Sequence, residues 1–298
     1  SRRQRQMCIR DRLWAGHYGK LAEDVTTHSK DREYWLSKEV HKPENQGICK
    51  DKEFWDKEIT FEELQKGTEF LANGKSAGID SIPGEVYKAI LRQPVKEELN
   101  DIQKALLEMV NSLFDGEIPE ELMTSIVVSV PKKGDSKDMN NYRGISLMPV
   151  SIKLVAAIVA RRMSLALEEE HFLSDAQAGF RPGQECVGQV AALLEIMKRW
   201  TTKPTKGCWK RDGGDLEAYI CFVDFQKAYD MVPHEAMLRK IREYGVCGRT
   251  YHFIETLYAH SRISIRVGES LSPAVPLKRG LRQGCPSVSY THLTLPTT

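Results

Sequence analysis

The chain has 298 residues, a net charge of +2 at pH 7, 41% hydrophobic residues and 28% charged residues. These values are typical of a globular protein with one large or two ordinary domains, and no run of about 18 apolar residues predicts a membrane span. The seven cysteines are scattered and form no C-x-x-C pair, which argues for a reducing compartment and against a zinc site.

The charge balance differs along the chain. Basic residues are in excess in residues 121–298, whereas residues 1–120 carry more acidic than basic side chains. A polyanionic partner would favour the second part. Solvated surface charge would give the same asymmetry, so both explanations stay open.

Residues 1–12 are basic, without an apolar period or the apolar core of a signal peptide. A nucleic-acid-binding arm is one interpretation, but we favour an artefactual junction from cloning or assembly and exclude this tail. Residues 13–59 are polar and rich in Lys, Glu and Trp. They are expected to form an N-terminal extension, whose role the sequence leaves undefined.

Two helix signals follow this extension. The segment Thr60-Phe61-Glu62-Glu63 fits a capping box and predicts a helix that ends at Gly74. Residues 74–83 then form a turn-rich loop, with Pro83 near the first turn of the next helix. From Leu99 to Leu113, apolar residues recur on one helical face that includes Ile102 and Met109, and this face is expected to pack in the core.

A β-hairpin is predicted next. Ser125–Val130 is rich in β-branched residues and is stopped by Pro131, and Asn141–Leu147 returns as a second strand. The hairpin would bring together Lys132, Lys133 and Arg143, which could clamp a triphosphate because Arg binds phosphate oxygens bidentately. An exposed Lys-Lys-Gly turn is also commonly just solvated, and that interpretation stays open.

Residues 150–170 have strong helical periodicity, with an apolar stripe that predicts core packing. Arg161 and Arg162 lie off this stripe, where they either touch nucleic acid or, as we favour, form a solvated face. Gln177–Gly183 then reads as a compact turn, whose glycines would allow a nucleic-acid strand to approach closely.

The most informative stretch surrounds Asp224. Four or five apolar residues from Tyr219 predict a short buried strand that ends on this carboxylate. A buried carboxylate must be paired or must bind a cation, although Asp224 could also simply cap a turn. Asp230 is expected to cap a helix that begins near Pro233. Two more helices and a final hairpin around residues 263–277 are predicted downstream.

Five segments resemble, in order, the reverse transcriptases of non-LTR (LINE-like) retrotransposons. Asp224-Phe225-Gln226-Lys227-Ala228-Tyr229-Asp230 resembles their first catalytic motif, and Tyr142-Arg143-Gly144-Ile145-Ser146-Leu147 resembles a strand of their fingers. The other resemblances are the loop at residues 74–83, the turn at Gln177–Gly183 and the segment Gly280-Leu281-Arg282-Gln283-Gly284. Each match is weak alone, but the order of the five is specific.

The resemblance implies an α+β fold, the fingers and partial palm of a right-hand polymerase, with an antiparallel sheet and without a thumb. Residues 60–214 would be the N-terminal extension and fingers, and residues 215–286 the partial palm. At Ser287 the resemblance stops, and residues 287–298 are interpreted as a second artefactual tail.

The implied function is RNA-directed DNA synthesis from dNTPs on an RNA template with a DNA primer, using Mg²⁺ or Mn²⁺. Asp224 would be the catalytic metal ligand, the Phe225 carbonyl would reach a metal ion, and Tyr229 would block a ribose 2′-hydroxyl. Such elements copy themselves in the nucleus, so an intracellular, nuclear location without a membrane partner is expected. The implied contacts are Lys132, Lys133, Arg143, Tyr229 and Gln283 with the nucleotide, and Gly179, Phe180, Arg181 and Gly284 with template or primer.

The second carboxylate motif of the family is an aromatic-Ala-Asp-Asp turn, and this chain contains no Asp-Asp pair. Because Asp224 alone cannot hold two metal ions in the usual geometry, we expect this chain by itself to be a truncated and inactive domain.

Three alternative functions differ from this predicted polymerase. A non-catalytic nucleic-acid-binding remnant or domesticated protein is favoured by Ala77, Ser81, Gln184 and Glu185, which depart from the family pattern. A group II intron-type enzyme would differ by a maturase domain downstream. A phosphohydrolase built on Asp224 would need a second acid or a base close by, and the next residues supply none.

Overall fold

The structure is a computed structural model. It describes residues 13–38, 51–94, 98–135, 137–174, 176–179, 181, 183–201, 219–225, 227–282, 284 and 285. Contacts divide these residues into two compact units, which are described separately. The first unit runs up to Phe172 and resumes at Ala228, and the second covers Leu173–Lys227. The division of the chain into fingers and palm stays a prediction.

Helices make up most of the regular structure. A helix labelled α1 covers residues 13–22. The others are α2 (Arg32–Ser37), α3 (Lys52–Asp56), α4 (Phe61–Thr68), α5 (Gly84–Leu91), α6 (Asp101–Phe114), α7 (Val150–Glu169), α8 (Cys186–Thr201), α9 (Ala228–Met231), α10 (His234–Glu243) and α11 (Gly248–Ala259), with short 3₁₀ helices at Glu120–Met123 and Met139–Asn141. The strands are β1 (Thr124–Pro131), β2 (Tyr142–Leu147), β3 (Arg262–Val267), β4 (Ser270–Leu271) and β5 (Val275–Pro276).

The strands form one mixed sheet. Its order is β2-β1-β3-β4, and β5 also pairs with β3. The predicted hairpin is confirmed, because β1 and β2 are antiparallel with Val130 opposite Arg143. The predicted antiparallel sheet is present only in part: β3 pairs antiparallel with β4 and β5, but β1 and β3 are parallel. The chain between β2 and β3 passes through helices, and such a crossover lets β3 enter the sheet in the direction of β1. Helices with one mixed sheet agree with the predicted α+β class.

The helix α1 covers one face of this sheet. Its Tyr18 and Ala22 are buried in a cluster with Val127 and Ile265. The Tyr18 ring lies against Gly144 of β2, and the Ser129 hydroxyl donates to the Tyr18 hydroxyl at 3.2 Å. Helical periodicity in this polar segment is weak, and its packing partners lie more than a hundred residues away. The sequence alone therefore indicated no such role.

The predicted capping box is confirmed at the start of α4. The Thr60 hydroxyl accepts from the Glu63 amide, and the Glu63 carboxylate accepts from the Thr60 amide. The helix ends at Thr68, earlier than the predicted Gly74, because the amide of Leu71 bonds to the Thr68 carbonyl in a turn. Pro83 is the N-cap of α5, as its predicted place near the first turn suggested.

Arg162 of α7 is buried, so the interpretation of Arg161 and Arg162 as one solvated face is wrong. Arg162 forms a bidentate pair with Glu63 at 2.7 and 2.8 Å. It also donates to the carbonyls of Lys57 and Glu58 at 2.6 and 2.8 Å. Successive residues of a helix point about 100° apart, so only Arg161 remains exposed. Burial opposes the charge of Glu63, but hydrogen bonds from Arg162 and from the Thr60 amide outweigh it and lower the Glu63 pKa.

The helix α6 has the predicted extent, but the side of the helix that is buried differs from the predicted apolar face. Ile102 and Met109 are 58% and 38% exposed, against expectation. Gln103 is fully buried instead, and its amide donates to the carbonyls of Ile90 and Gln93. A polar residue that hydrogen-bonds carbonyls at the end of α5 and just after it therefore occupies a core position that hydrophobic periodicity assigned to apolar side chains.

We predict that Arg162→Met lowers the free energy of unfolding by about 3 kcal/mol. The substitution leaves the partly buried Glu63 carboxylate and two carbonyls without their donor. Urea denaturation at neutral pH measures the change. Arg161→Met removes the neighbouring exposed guanidinium and should cost less than about 0.5 kcal/mol. Equal effects of the two substitutions would contradict the buried bridge.

Candidate functional site

Residues 219–225, which precede and include Asp224, form no strand in the structure. Phe222 and Val223 are 82% and 76% exposed, and Asp224 is exposed as well. The prediction of a buried strand is therefore wrong. A strand needs a neighbour for its backbone groups, and among the described residues of the unit Leu173–Lys227 only α8 has regular structure. Apolar side chains in sequence predict burial, but they do not supply the pairing partner.

The second unit also contains the turn that starts at Gln177. The Arg181 guanidinium donates to the carbonyls of Ser174 and Gln177 at 2.9 and 3.2 Å, and the Gln177 amide donates to the Gly179 carbonyl at 3.1 Å. The predicted compact turn is thus present, and hydrogen bonds from Arg181 stabilise it. Phe180 lies outside the described residues, and template contact at Gly179 and Arg181 stays a prediction.

Two of the segments that resemble reverse transcriptase motifs contact each other in the first unit, one around Tyr229 and one around Gly280. The amide of Leu281 donates to the Tyr229 carbonyl at 2.7 Å, and the amide of Gly280 donates to the Val232 carbonyl at 2.8 Å. Burial raises the pKa of the Tyr229 hydroxyl, so it is neutral at physiological pH. Asp230 lies in α9 next to this junction and does not cap α10, whose N-cap is Pro233 without a side-chain bond. The predicted capping role of Asp230 is therefore wrong.

Gly280 and Gly284 allow this close approach. Both have positive φ, +87° and +118°. A Cβ at Gly280 would lie 2.8 Å from the Asp230 carbonyl oxygen, and a Cβ at Gly284 would lie 2.9 Å from the Ser146 carbonyl oxygen of β2. Only glycine combines this backbone conformation with so little space. The segment thus contacts both Asp230, at the end of the segment that resembles the first catalytic motif, and the strand that carries Arg143.

Arg282 anchors the same segment, a role that sequence reasoning missed. The side chain is 1% exposed. Its Nη2 donates to the Met123 carbonyl at 2.9 Å and to the Ser261 hydroxyl at 2.7 Å. Burial lowers the pKa of its guanidinium. The visible signal was an Arg between two glycines, but arginine is usually exposed, so nothing in the sequence pointed to a buried anchor. Its neighbour Gln283 lies outside the described residues.

His234 was also missed as part of the site. Its ring is buried, and Nε2 lies 2.9 Å from the Gly280 carbonyl oxygen. Because a carbonyl only accepts, Nε2 carries the proton. Burial lowers the pKa of His234 to about 4, and the positive charges of Lys30 and Arg282 act in the same direction. A neutral imidazole therefore holds the backbone where α10 begins and where the glycine segment starts.

The hairpin presents its cations on one face. The Lys132 amide donates to the Asn141 carbonyl, which continues the ladder past Pro131. Lys132 and Arg143 are therefore diagonal neighbours on the same face, with about 7–8 Å between their backbones. Both are exposed, as is Lys133. Tyr142 and Gly144 lie on the opposite face, which α1 covers.

Within the described residues, no group of three or more His, Cys, Asp or Glu side chains is placed to hold a metal ion. Asp224 offers a single exposed carboxylate, so these residues do not by themselves fit a two-metal site. None of the described helices combines the length and apolar character that a membrane span requires.

Comparison with known families decides the identity of this arrangement. Residues 130–293, more than half of the chain, match the family described as "Reverse transcriptase (RNA-dependent DNA polymerase)". The chain belongs to the reverse transcriptase family. The match begins in the cationic hairpin and includes Asp224 and the glycine segment. Reverse transcriptases in general use divalent metal ions and bind a nucleic-acid template and primer.

Relatives of this reverse transcriptase chain belong to transposable elements. It is 25% identical to "Transposon TX1 uncharacterized 149 kDa protein" of Xenopus laevis, over 76% of this chain and 16% of the relative. It is 26% identical to "Probable RNA-directed DNA polymerase from transposon BS" of Drosophila melanogaster, over 76% of this chain and 23% of the relative. A Pol polyprotein from the retrotransposable element R2DM of the same fly is 24% identical, over 74% of this chain and 19% of the relative.

These matches confirm the predicted resemblance to reverse transcriptases of non-LTR retrotransposons. The chain spans less than a quarter of the length of these three relatives.

We predict that the neutral His234 makes stability depend on pH. The folded pKa is about 4 and the ordinary value is 6.5, so between these values the unfolded chain binds the proton more tightly. The contribution to stability is complete above about pH 6.5 and is lost as pH falls towards 4. At pH 5 the loss should be about 2 kcal/mol relative to pH 7.5.

Urea denaturation across this pH range measures the effect. His234→Gln can still donate to the Gly280 carbonyl but does not titrate, so it should flatten the curve by about that amount. His260 is exposed, and His260→Gln should leave the pH dependence as it is. An unchanged curve for His234→Gln would show that His234 is not buried in its neutral form.

Proposed function

We propose that this chain is the part of an RNA-directed DNA polymerase that binds the incoming dNTP together with an RNA template and a DNA primer. The observation that carries the proposal is the meeting of Tyr229, the Gly280–Gly284 segment and the strand of Arg143 in one unit. These pieces are distant in sequence, and their close contact requires glycines at both crossing points. Because all three pieces come from segments that resemble reverse transcriptase motifs, we take their convergence as the support for a nucleotide site.

Nucleotide binding would use the exposed hairpin face. Arg143 and Lys132 share this face, where an arginine fork and an ammonium group can bind separate phosphate oxygens. We assign Lys133 to the same triphosphate, and Gln283 and Tyr229 to the nucleoside. Gly284 would let the backbone approach the base pair. The opposite face of the hairpin is covered by α1, whereas Lys132, Arg143 and Val130 at the outer end of the cationic face are exposed.

For the divalent ion, we assign the Asp224 carboxylate and the Phe225 carbonyl as the ligands from this chain, with Mg²⁺ or Mn²⁺ bound. The exposed carboxylate is accessible to an ion. Gly179, Phe180 and Arg181 are assigned to the template or primer, and a nuclear location is part of the same proposal. The relatives named above as polymerase and Pol polyprotein support this chemistry for a longer protein that contains the chain.

In a full-length version of the protein, Asp224→Asn should reduce primer extension at least about a hundredfold, because a metal ligand contributes several kcal/mol to the transition state. RNA binding should change little. A labelled DNA primer on an RNA template measures primer extension, and a filter-binding titration measures RNA binding. Glu195→Gln removes an exposed carboxylate from the same unit and serves as the control. Retained extension in Asp224→Asn would reject the metal-ligand role.

Tyr229→Ala should admit ribonucleotides, because the smaller side chain no longer fills the space beside the ribose 2′-hydroxyl. We expect the ratio of kcat/KM for dNTP over rNTP to fall at least about tenfold, the factor for a difference of about 1.4 kcal/mol. Tyr219→Ala changes an exposed tyrosine that is 88% accessible, and should leave the ratio as it is. If both variants keep the parental selectivity, Tyr229 is not the sugar gate.

A further inference from the structure

A cavity lies in the first unit, and none of its lining residues belongs to the segments that the resemblance singled out. The helices α2, α10 and α11 enclose about 310 Å³ between them. Such a volume is in the lower range of small-ligand pockets. Its walls carry three arginines, Arg32, Arg239 and Arg242, together with the aromatic rings of Trp35 and Tyr251. No role in the proposed polymerase reaction has been assigned to any of them.

The charges around the cavity leave a positive excess. Its lining has three guanidinium groups and two carboxylates, Glu235 and Glu243. A third carboxylate, Glu255, contacts Arg242, and a fourth cation, Lys240, lies beside Glu243, so the cations outnumber the carboxylates by one. Arg239 pairs with Glu243 at 3.0 Å, and Glu243 also contacts Lys240 at 3.5 Å, so this carboxylate is already neutralised. Among the residues that the structure describes, no carboxylate lies within 4.0 Å of the Arg32 guanidinium. Arg32 is exposed, and its fork is available to an anion from solution.

The same cavity offers flat surfaces in fixed orientations. The Arg242 guanidinium lies 4.1 Å above the Tyr251 ring, and its Nη2 contacts Glu255 at 3.5 Å. The Trp35 indole donates to the His28 carbonyl and packs edge to face against Tyr34. Both the guanidinium plane and the indole are therefore held in place before any ligand arrives. A planar ring could stack on them at little cost in side-chain entropy.

We propose that this cavity binds one nucleotide unit of a single-stranded nucleic acid. Its phosphate would lie at Arg32 and Arg239, because arginine binds phosphate oxygens bidentately, and its base would stack at Trp35 or on the Arg242 plane. Arg239 keeps one donor, Nη1, that no described residue accepts. The exposed Arg32 and Leu36 leave the rim open for a continuing strand. This site does not require the proposed polymerase activity.

The binding test uses the full chain and a short fluorescent oligouridylate in an anisotropy titration. Arg32→Ala should weaken binding about tenfold, and the slope of log affinity against log salt should fall by about 0.7, as expected for one lost phosphate contact. Glu235→Gln removes a repelling carboxylate and should tighten binding a few-fold. Arg92→Ala removes an exposed guanidinium at the C-cap of another helix, α5, and is the matched control.

A crosslinking measurement locates the ligand independently of affinity. An oligonucleotide with 5-bromouracil, irradiated in complex with the chain, should give an adduct on Trp35 or Tyr251 that mass spectrometry identifies. Adducts confined to other residues would overturn the proposal. Equal weakening by Arg32→Ala and Arg92→Ala would also overturn it, because that result indicates diffuse attraction.

Competition distinguishes a strand from smaller ligands. The oligouridylate should be displaced by unlabelled oligouridylate far better than by uridine monophosphate, and by the monophosphate better than by inorganic phosphate. If the monophosphate competes as well as the strand, the cavity is a free-nucleotide site and the proposal fails. If inorganic phosphate competes as well as the monophosphate, the base contributes nothing and the proposal also fails.

Discussion

The buried guanidinium of Arg282 is the interaction on which the organised part of this chain depends. It joins the residue before β1, the end of α11 and the residue before β3 through the Met123 carbonyl, the Leu257 carbonyl and the Ser261 hydroxyl. Its Nε and Nη1 have no acceptor among the described residues, and burial lowers its pKa. Burying such a group is costly. The arrangement is stable only because the surrounding sheet and helices fix all three partners at once, which in turn fixes the loop that precedes Arg282, residues 278–281.

This loop is held from the other side by the N-terminal segment. The Lys278 amide donates to the Ala22 carbonyl at 3.0 Å, Arg279 donates to the Leu21 carbonyl at 3.2 Å, and the Ser29 hydroxyl donates to the Lys278 carbonyl at 2.8 Å. A segment that looked undefined in sequence thus supports the glycine-rich segment of a reverse transcriptase. The positions of Lys278 and Arg279, just before Gly280, therefore depend on contacts with residues 21–29.

Sequence patterns predicted local structure well where the determining contacts are local. The capping box at Thr60, the hairpin of β1 and β2, and the buried faces of α7 and α11 all follow from residues a few positions apart. The failures have a different character. The strand predicted before Asp224 does not form, Ile102 is exposed and Arg162 is buried. Each outcome depends on whether a partner outside the segment itself is present, and periodicity contains no information about such partners.

The sequence by itself determined the family, because the order of five short motifs does not depend on how they pack. It also named Asp224, Arg143, Tyr229 and Gly284 by resemblance. Only the tertiary structure decided that Tyr229 and Gly284 share one unit with the strand of Arg143, that the sheet is mixed, and that Arg282 and His234 hold the junction. The physical reason is that burial, hydrogen-bond satisfaction and charge pairing are properties of a surrounding shell. These surroundings include contacts between residues as distant in sequence as Leu21 and Arg279, and local sequence patterns do not predict such contacts.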